Sequence, residues 1–373
     1  MKKFVAAVTA LAMCAITAGC DVKSKKTDEK QKKVGIALPS VELERWVTDG
    51  EFLKSLFEKE GYEVELSYAD NDQARQNNDI INMVDEGVDL LLIAAVDGKG
   101  FESSLDSAKE KGVSVVAYDR LIMDTSAVTY YISFDNRAVG RSQAEYIRDT
   151  LDLENNYGPF NIEFVSGDAS DNNARVFYDG AYDVLSPYVL SGRLRILSGE
   201  NNFEKTATNA WSTEAAKTRM HRLATSFYKE KKLDAVLCAN DSTALGVAAS
   251  LEEDYKQAER PIITGQDGDI ENLKNIVDGK QSMTVFKNVR DEASVAFEVS
   301  KRLLNDEVPA GSLASDLAIE VTYDSESYNN GVKYVQSFLL KPIVITKNNL
   351  QTMVKTGLYK WDAEEKYLEA VTQ

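Results

Sequence analysis

The sequence contains one histidine and only three cysteines among its 373 residues. The histidine, His221, lies in a segment with helical periodicity beside Arg222, so a histidine-based catalytic triad and a histidine-rich metal site are excluded. The cysteines are Cys14, Cys20 and Cys238, and they give no disulfide framework. Cys238 lies in the apolar run AVLCA and is predicted to fill the core. We therefore expect no metal ion and no cofactor.

Positive charge is also scarce. The 60 acidic residues outnumber the 43 basic ones, which gives a formal net charge of -17. An acidic surface argues against nucleic-acid binding, because phosphates attract basic patches. With 43% hydrophobic and 28% charged residues, the chain is typical of a globular protein, and its length favours two domains.

The apolar run near the N-terminus, residues 4–16, is too short to span a bilayer comfortably. It follows Lys2 and Lys3 and ends before the small residues of TAGC, which is the pattern of a secretory signal. The Ala-Gly-Cys ending resembles a bacterial lipoprotein box, in which Cys20 is acylated. We predict a lipoprotein signal at residues 1–19 and a polar, flexible tether at residues 20–33. A plain secretory signal is the alternative.

Three stretches share one pattern, in which a charged helix end is followed by glycine, a β-rich run and an acidic residue. They are EKEGYEVELSYAD, VDEGVDLLLIAAVD and KEKGVSVVAYDR. Their glycines, Gly61, Gly87 and Gly112, are predicted to be left-handed residues that end helices. The second half repeats the plan less regularly. The pattern predicts an α/β protein with two doubly wound parallel-sheet lobes.

Polar residues follow several predicted strands, where ligands bind in open parallel sheets. Asp70, Asp97 and Asp241 are predicted to be helix N-caps. Asp119 and Arg120 are predicted to bind a ligand instead, because arginine is a poor cap and the pair offers both an acceptor and a donor to a hydroxyl-rich molecule. We expect Asp119 to contribute more to binding than to folding. Asn240, Asp241, Gln266, Asp267 and Lys287 also lie at predicted strand ends, and two lobes whose polar strand ends face each other are predicted to form a cleft.

Two tryptophans lie in segments predicted to be polar loops, VELERWVTDG and TNAWSTEAA. Trp46 and Trp211 are either core residues or flat surfaces that sandwich a sugar ring. The sequence pattern alone leaves both interpretations open.

The chain resembles the type I periplasmic sugar-binding proteins of ABC importers, and within them the xylose-binding and multiple-sugar-binding branch. The motifs that carry the resemblance span the chain in order: LERW (43–46), AYDRLI (117–122), YISFDN (131–136), SDNNA (170–174), GQDGD (265–269) and LLKPIVITKNN (339–349).

The resemblance implies reversible binding of a monosaccharide such as xylose, glucose, galactose or arabinose, without turnover, by a monomer that delivers it to ABC transporter permease subunits. A chemoreceptor or sensor kinase is a further possible partner. It implies three hinge crossovers, near Asp135, Lys287 and Leu340. One lobe then comprises residues 34–135 plus 288–340, and the other residues 136–287 plus 341–373. The implied sugar-binding residues are Arg45, Trp46, Asp119, Arg120, Asp171, Asn172, Asn173, Trp211, Asn240, Asp267 and Lys287.

Other functions fit less well. No GxGxxG motif follows a predicted strand, which argues against a dehydrogenase. A glycosidase could use Asp119 and Asp267 as its carboxylate pair, but the neighbouring Arg120 and Lys287 lower an acid's pKa and disfavour a proton donor. A gene regulator of this fold needs a DNA-binding headpiece, and a signal and tether occupy that position.

Overall fold

The computed structural model describes residues 31–371. The chain begins with alternating strands and helices: β1 Lys33–Leu38, α1 Glu44–Lys59, β2 Glu63–Tyr68, α2 Gln73–Asp85, β3 Leu90–Ile93, α3 Glu102–Glu110, β4 Ser114–Tyr118 and β5 Val128–Phe134. The predicted signal and most of the predicted tether lie outside the described residues.

The middle of the chain continues the alternation with less regular strands. Its elements are α4 Asn136–Thr150, β6 Phe160–Val165, α5 Asn172–Leu190, β7 Leu194–Arg195, α6 Phe203–Thr206, a 3-10 turn Asn209–Trp211, α7 Thr213–Phe227, β8 Ala235–Cys238, α8 Asp241–Asp254, β9 Ile262–Ile263, β10 Gln266–Asp267, α9 Ile270–Asp278 and β11 Met283–Phe286. The last part contains α10 Val289–Leu304, α11 Gly311–Asp316, β12 Val321–Asp324, β13 Gln336–Leu340, β14 Ile343–Thr346, α12 Gln351–Lys355, β15 Tyr359–Trp361 and β16 Leu368–Ala370.

The strands form two main groups. The first is a seven-stranded sheet in the order β12-β13-β5-β4-β3-β1-β2, parallel except for β12. The second group contains the parallel sheet β7-β6-β8-β9 and the neighbouring sheet β10-β11-β14, where β14 is antiparallel. Both groups carry helices on their faces, since apolar side chains from both sides of the strands pack against them. The predicted α/β class with two doubly wound lobes is confirmed.

The chain passes between the two groups after β5, after β11 and after β13. Parallel strands end at the same edge of a sheet, so the polar residues that follow β4, β8 and β10 can meet the loops of the other group. The glycines predicted to end helices have the expected left-handed backbone, with φ of 89° at Gly61, 84° at Gly87 and 73° at Gly112. Cys238 is buried in β8, as predicted.

The three predicted N-caps are wrong. The N-cap of α2 is Asp72, whose carboxylate accepts from two backbone N–H groups, rather than Asp70. Asp97 accepts from the backbone N–H of Lys99 in a turn before α3. Asp241 is already the first residue of α8. Within residues 31–371, no helix is both long and apolar enough to cross a membrane.

Candidate functional site

A small cavity of about 30 Å³ lies where the strand ends of the two groups meet. Ten of the eleven residues predicted to bind sugar line it, and Asn172 is the exception. The full lining is Leu43, Arg45, Trp46, Asp119, Arg120, Asp171, Asn173, Phe177, Trp211, Asn240, Gln266, Asp267 and Lys287. Residues separated by more than 200 positions in the sequence therefore converge on one place.

Arg45 and Trp46 are contributed by the first turn of α1, so the prediction that they lie in a loop is wrong. The Arg45 guanidinium lies over the Trp46 ring at 4.4 Å from its centroid, and Arg120 approaches the same ring at 5.2 Å. Trp46 is only 2% exposed, and its indole N–H has no hydrogen-bond partner within the described residues. The helix thus presents a cation and an aromatic ring to the same cavity.

Asp119 follows β4 directly and has a left-handed backbone, with φ of 57°. Three donors fix its carbonyl oxygen: the hydroxyls of Tyr131 and Ser133, at 2.8 and 2.9 Å, and the side-chain amide of Asn173, at 2.8 Å. A left-handed aspartate costs free energy unless its surroundings hold it. Together, these three donors stabilise the backbone turn that directs Asp119.

The carboxylate of Asp119 lies between two cations. Its Oδ2 is 3.0 Å from Arg45 Nη1 and 3.2 Å from Lys287 Nζ. Burial opposes ionisation, but the positive charges of Arg45, Lys287 and Arg120 outweigh it and lower the pKa of Asp119 to about 2. Asp119 therefore carries a fixed negative charge at neutral pH, and it is not a helix N-cap.

Arg120 and Asp171 connect the two strand groups. Arg120 Nε lies 3.0 Å from Asp171 Oδ2, and a backbone hydrogen bond from Gly98 to Ser170 runs beside this pair. The other oxygen of Asp171 accepts from the backbone N–H of Asn173 at the start of α5. Burial raises the pKa of Asp171, and Arg120 opposes that shift. Both oxygens of Asp171 thus already contact protein groups.

Asn173 also bridges the groups, since its amide nitrogen donates to the Asp119 carbonyl, and its oxygen lies 3.1 Å from the Tyr131 hydroxyl and competes with that carbonyl for the single hydroxyl hydrogen. The neighbouring Asn172 lines a different cavity, with Asp135 and Arg137. The structure therefore does not bring Asn172 to the cavity, and the helical turn explains why: successive helix residues point in directions about 100° apart.

Trp211 comes from the 3-10 turn before α7. Both Ala210 and Trp211 have left-handed backbones, with φ of 51° and 56°. The backbone N–H of Ala210 donates to the carboxylate of Asp168. The indole ring lies against Gly167, where an added Cβ would be only 2.0 Å from the ring. Gly167 thus leaves the space that Trp211 needs beside the cavity.

Asn240 is at the cavity, but its side chain caps α8 and forms a capping box with Thr243. Asp241 holds the loop that carries Asp267. Its Oδ2 accepts from the backbone N–H groups of Gly268 and Asp269, both at 2.9 Å. Burial, followed by the nearby Asp267, raises the pKa of Asp241 to about 7.

Four residues that line or support the cavity were not among those predicted to bind the ligand. Phe177, one helical turn after Asn173, and Leu43 line it. Spacing within SDNNARVF could have indicated Phe177. Asp49 and Glu292 contact Arg45 from outside the cavity. The i,i+4 spacing of Arg45 and Asp49 could have indicated that pair if the segment had been predicted to be helical, whereas Glu292 gave no signal because it lies 247 positions from Arg45.

Three buried polar atoms on lining residues have no hydrogen-bond or ionic partner within residues 31–371: the indole nitrogens of Trp46 and Trp211 and Oε1 of Gln266. A fourth atom, Oδ1 of Asp267, has no hydrogen bond but lies within ion-pair distance of Arg45 and Lys287. Buried polar groups are nearly always paired, so unpaired groups that gather at one cavity need an explanation. The set contains both donors and acceptors, which matches a ligand with hydroxyl groups.

A second cavity of about 280 Å³ adjoins the small one and shares Arg45, Asp267 and Lys287 with it. These three side chains form the boundary, with Asp267 Oδ1 3.7 Å from Arg45 Nη1 and 3.5 Å from Lys287 Nζ. The small cavity has the volume of about one water molecule. A sugar needs several times that space, so binding requires the boundary side chains or the two strand groups to move.

The sequence profile of the periplasmic binding protein domain matches residues 34–307. The multiple sugar-binding periplasmic receptor of Rhizobium radiobacter is 40% identical over 333 residues, covering 88% of this chain and 91% of the relative. The D-xylose-binding periplasmic protein of Escherichia coli is 33% identical over 332 residues, covering 89% and 92%.

Two solved structures support the same family assignment. An ABC transporter solute-binding protein of Clostridium phytofermentans with bound β-D-glucose has a TM-score of 0.83 and 46% identity, covering 90% of this chain and 99% of that one. A carbohydrate transporter solute-binding protein of Chloroflexus aurantiacus in complex with D-glucose has a TM-score of 0.77 and 29% identity, covering 90% and 98%. The chain belongs to the periplasmic binding protein family, as a type I sugar-binding member.

Proposed function

We propose that this protein captures a monosaccharide in the cavity between its strand groups and delivers it to the permease subunits of an ABC importer. The observation that carries the proposal is the gathering of unpaired buried donors and acceptors at one cavity, beside two tryptophans. A sugar ring offers apolar C–H faces to the indoles and hydroxyls to the polar groups. The relatives named for xylose and multiple sugars, and the structures with bound glucose, support an aldose as the ligand.

Capture requires two states. We propose that the lobes, residues 34–135 plus 288–340 and residues 136–287 plus 341–373, move about the crossovers near Asp135, Lys287 and Leu340. Bridging contacts such as Arg120 to Asp171, and Asn173 to the Asp119 carbonyl, favour the closed arrangement. In this proposal Asp171 and Asn173 contribute to closure as well as to the ligand site.

We propose that the protein acts as a monomer and releases the sugar unchanged. A retaining or inverting glycosidase needs a carboxylic acid that is protonated near neutral pH. Asp119 cannot supply it, because its pKa lies at about 2. A sensory role, in which the loaded protein contacts a chemoreceptor or sensor kinase, uses the same site.

A panel of aldoses tests the function directly. Glucose, xylose, galactose and arabinose, with the open-chain polyol sorbitol as control, are titrated while the melting temperature is measured. A ligand that binds only the folded state stabilises it by about 2.7 kcal/mol at a hundredfold excess over its Kd. We expect at least one aldose to raise the melting temperature, sorbitol to have no effect, and the sugar to be recovered intact. Absence of any shift, or release of a modified sugar, contradicts the proposal.

Substitution of Asp119 separates binding from folding. Asp119→Ala leaves Arg45, Lys287 and the sugar hydroxyls without their carboxylate, so we expect affinity to fall at least tenfold, equivalent to about 1.4 kcal/mol. The control is Asp72→Ala, which removes an N-cap remote from the cavity and should cost about 0.5–2 kcal/mol of stability with unaltered affinity. Calorimetric titration and denaturant unfolding measure both quantities. If Asp119→Ala behaves like the control, Asp119 has no role in binding.

Substitution of Gly167, which lies against the indole ring, tests whether Trp211 flanks the ligand. Gly167→Ala puts a methyl group into the space of the indole ring, so Trp211 must move, and we expect sugar affinity to fall at least tenfold. Gly199→Ala is the control, because Gly199 is left-handed but an added Cβ meets no atom within 4 Å. The control should lose stability alone. Normal affinity in the Gly167 variant shows that Trp211 does not flank the ligand.

We propose that Cys20 is lipidated and anchors the protein on the outer side of a cell membrane through the tether. Multiple acyl chains anchor stably where one chain does not. Cys20→Ala expressed in a bacterial host should move the protein from the membrane to the soluble fraction, and Cys14→Ala, a cysteine within the predicted signal, should leave it in the membrane. Equal distributions of wild type and Cys20→Ala would favour the plain secretory signal.

A further inference from the structure

The two edges of the Arg45 guanidinium contact different sets of residues. On the cavity side, Nη1 lies 3.0 Å from Asp119 and 3.7 Å from Asp267. On the far side, Nε and Nη2 donate to Asp49 at 3.3 and 3.1 Å, and Nη2 also donates to Glu292 at 3.2 Å. One edge of the guanidinium therefore meets the ligand-binding groups, while the other edge meets two carboxyl groups that do not line the cavity.

The far side is a continuous buried assembly. Asp49 lies one helical turn after Arg45 in α1, and its second oxygen accepts from the Tyr118 hydroxyl at 2.8 Å. Tyr118 is the last residue of β4 and directly precedes Asp119. Glu292 comes from α10, which begins just after Lys287. Asp49, Tyr118 and Glu292, which we name the Arg45 support, are all fully buried.

Burying these carboxyl groups costs free energy. Burial raises the pKa of Asp49 to about 6 and raises that of Glu292 well above its usual range, although Arg45 opposes both shifts. Other charged groups facing the two carboxyls are Asp119 and, for Glu292, Lys287. Buried ion pairs are often no more stabilising than apolar residues of similar volume. The support is therefore poorly explained by stability alone.

The hydrogen bonds of Glu292 indicate which residue its carboxyl group holds in place. Its Oε2 accepts from Arg45, and its Oε1 has no hydrogen-bond partner within residues 31–371. Arg45 is thus the hydrogen-bond partner that the structure gives to the buried Glu292 carboxyl group within residues 31–371. Arginine has a flexible side chain with roughly 2 kcal/mol of rotamer entropy, and fixing it in advance removes that cost from ligand binding.

We propose that Asp49 and Glu292, with Tyr118, are positioning residues that hold Arg45 in place for the sugar and so determine affinity without touching the ligand. This inference rests on the proposed function. It predicts that the support acts only through Arg45, whereas a structural role predicts lost stability with independent effects on binding.

The test measures sugar affinity in a double-mutant cycle, with an aldose that shifted the melting temperature of the wild type. Glu292→Gln and Asp49→Asn each keep the side-chain shape and should weaken binding about ten- to a hundredfold, the range seen when groups that support metal ligands are lost. Arg45→Lys should weaken it further. Combining Arg45→Lys with Glu292→Gln should add less than a twofold further loss, because the interaction is already gone.

The matched control is Glu163→Gln. Glu163 is also fully buried and accepts from a tyrosine hydroxyl, that of Tyr228, at 2.5 Å, but it lies in β6 and does not line the cavity. It should alter stability with wild-type affinity, and its effect should be additive with Arg45→Lys. If a carboxyl variant of the support does not fold, Tyr118→Phe, which removes one hydroxyl that donates to Asp49, takes its place and should weaken binding measurably.

Two results overturn the inference while leaving the proposed function intact. One is wild-type affinity in Glu292→Gln, Asp49→Asn and Tyr118→Phe when Arg45→Lys is strongly impaired. The other is full additivity in the cycle, which shows that Glu292 does not act through Arg45. Failure of the wild type to bind any aldose instead contradicts the proposed function itself.

Discussion

The cavity depends on one interaction, the contact of the Asp119 carboxylate with Arg45 and Lys287. These side chains come from β4, α1 and the crossover after β11, so the contact joins elements that are remote in sequence. Three cations hold the pKa of Asp119 at about 2, which keeps it charged despite its burial. Without its cations the carboxylate would be an isolated buried charge, which proteins avoid. The positions of the loops around the cavity follow from the need to keep these partners together.

Three residues that line the cavity have strained backbones. Asp119, Trp211 and Asp267 all have positive φ, at 57°, 56° and 105°. Each is held by contacts made elsewhere: three donors hold the Asp119 carbonyl, Gly167 accommodates Trp211, and Asp241 holds the loop after Asp267. Strained residues persist when their surroundings over-determine them, and they cluster at ligand sites. We therefore expect the supporting residues to matter to ligand binding, although they do not face the proposed ligand.

The fold and most of the cavity-lining residues could be predicted from the sequence because both follow from local patterns at helix and strand ends. The left-handed glycines Gly61, Gly87 and Gly112 end helices, and strand-end residues such as Asp119 collect at one edge of a parallel sheet. Prediction failed where geometry within a turn decides the outcome. Asp72 rather than Asp70 caps α2, Trp46 lies in a helix, and Asn172 points away from its neighbour Asn173. Asp49 was missed because the loop prediction hid its i,i+4 spacing to Arg45, and Glu292 was out of reach because only the folded chain brings it near Arg45.

The small volume of the cavity affects how the protein can discriminate between ligands. At about 30 Å³ it holds the volume of roughly one water molecule, with charged side chains in contact across it. A sugar must therefore replace existing ion contacts with contacts to its own hydroxyls. Its affinity is the difference between the free energy gained from the new contacts and the free energy lost with the ion contacts. A hydroxyl in the wrong position leaves a buried carboxylate or cation unpaired, and sites built to hydrogen-bond a substrate penalise a missing partner heavily. We therefore expect the charges at the strand ends to oppose ligands that cannot satisfy all of them, so that selectivity follows from the same ion contacts that hold the cavity together.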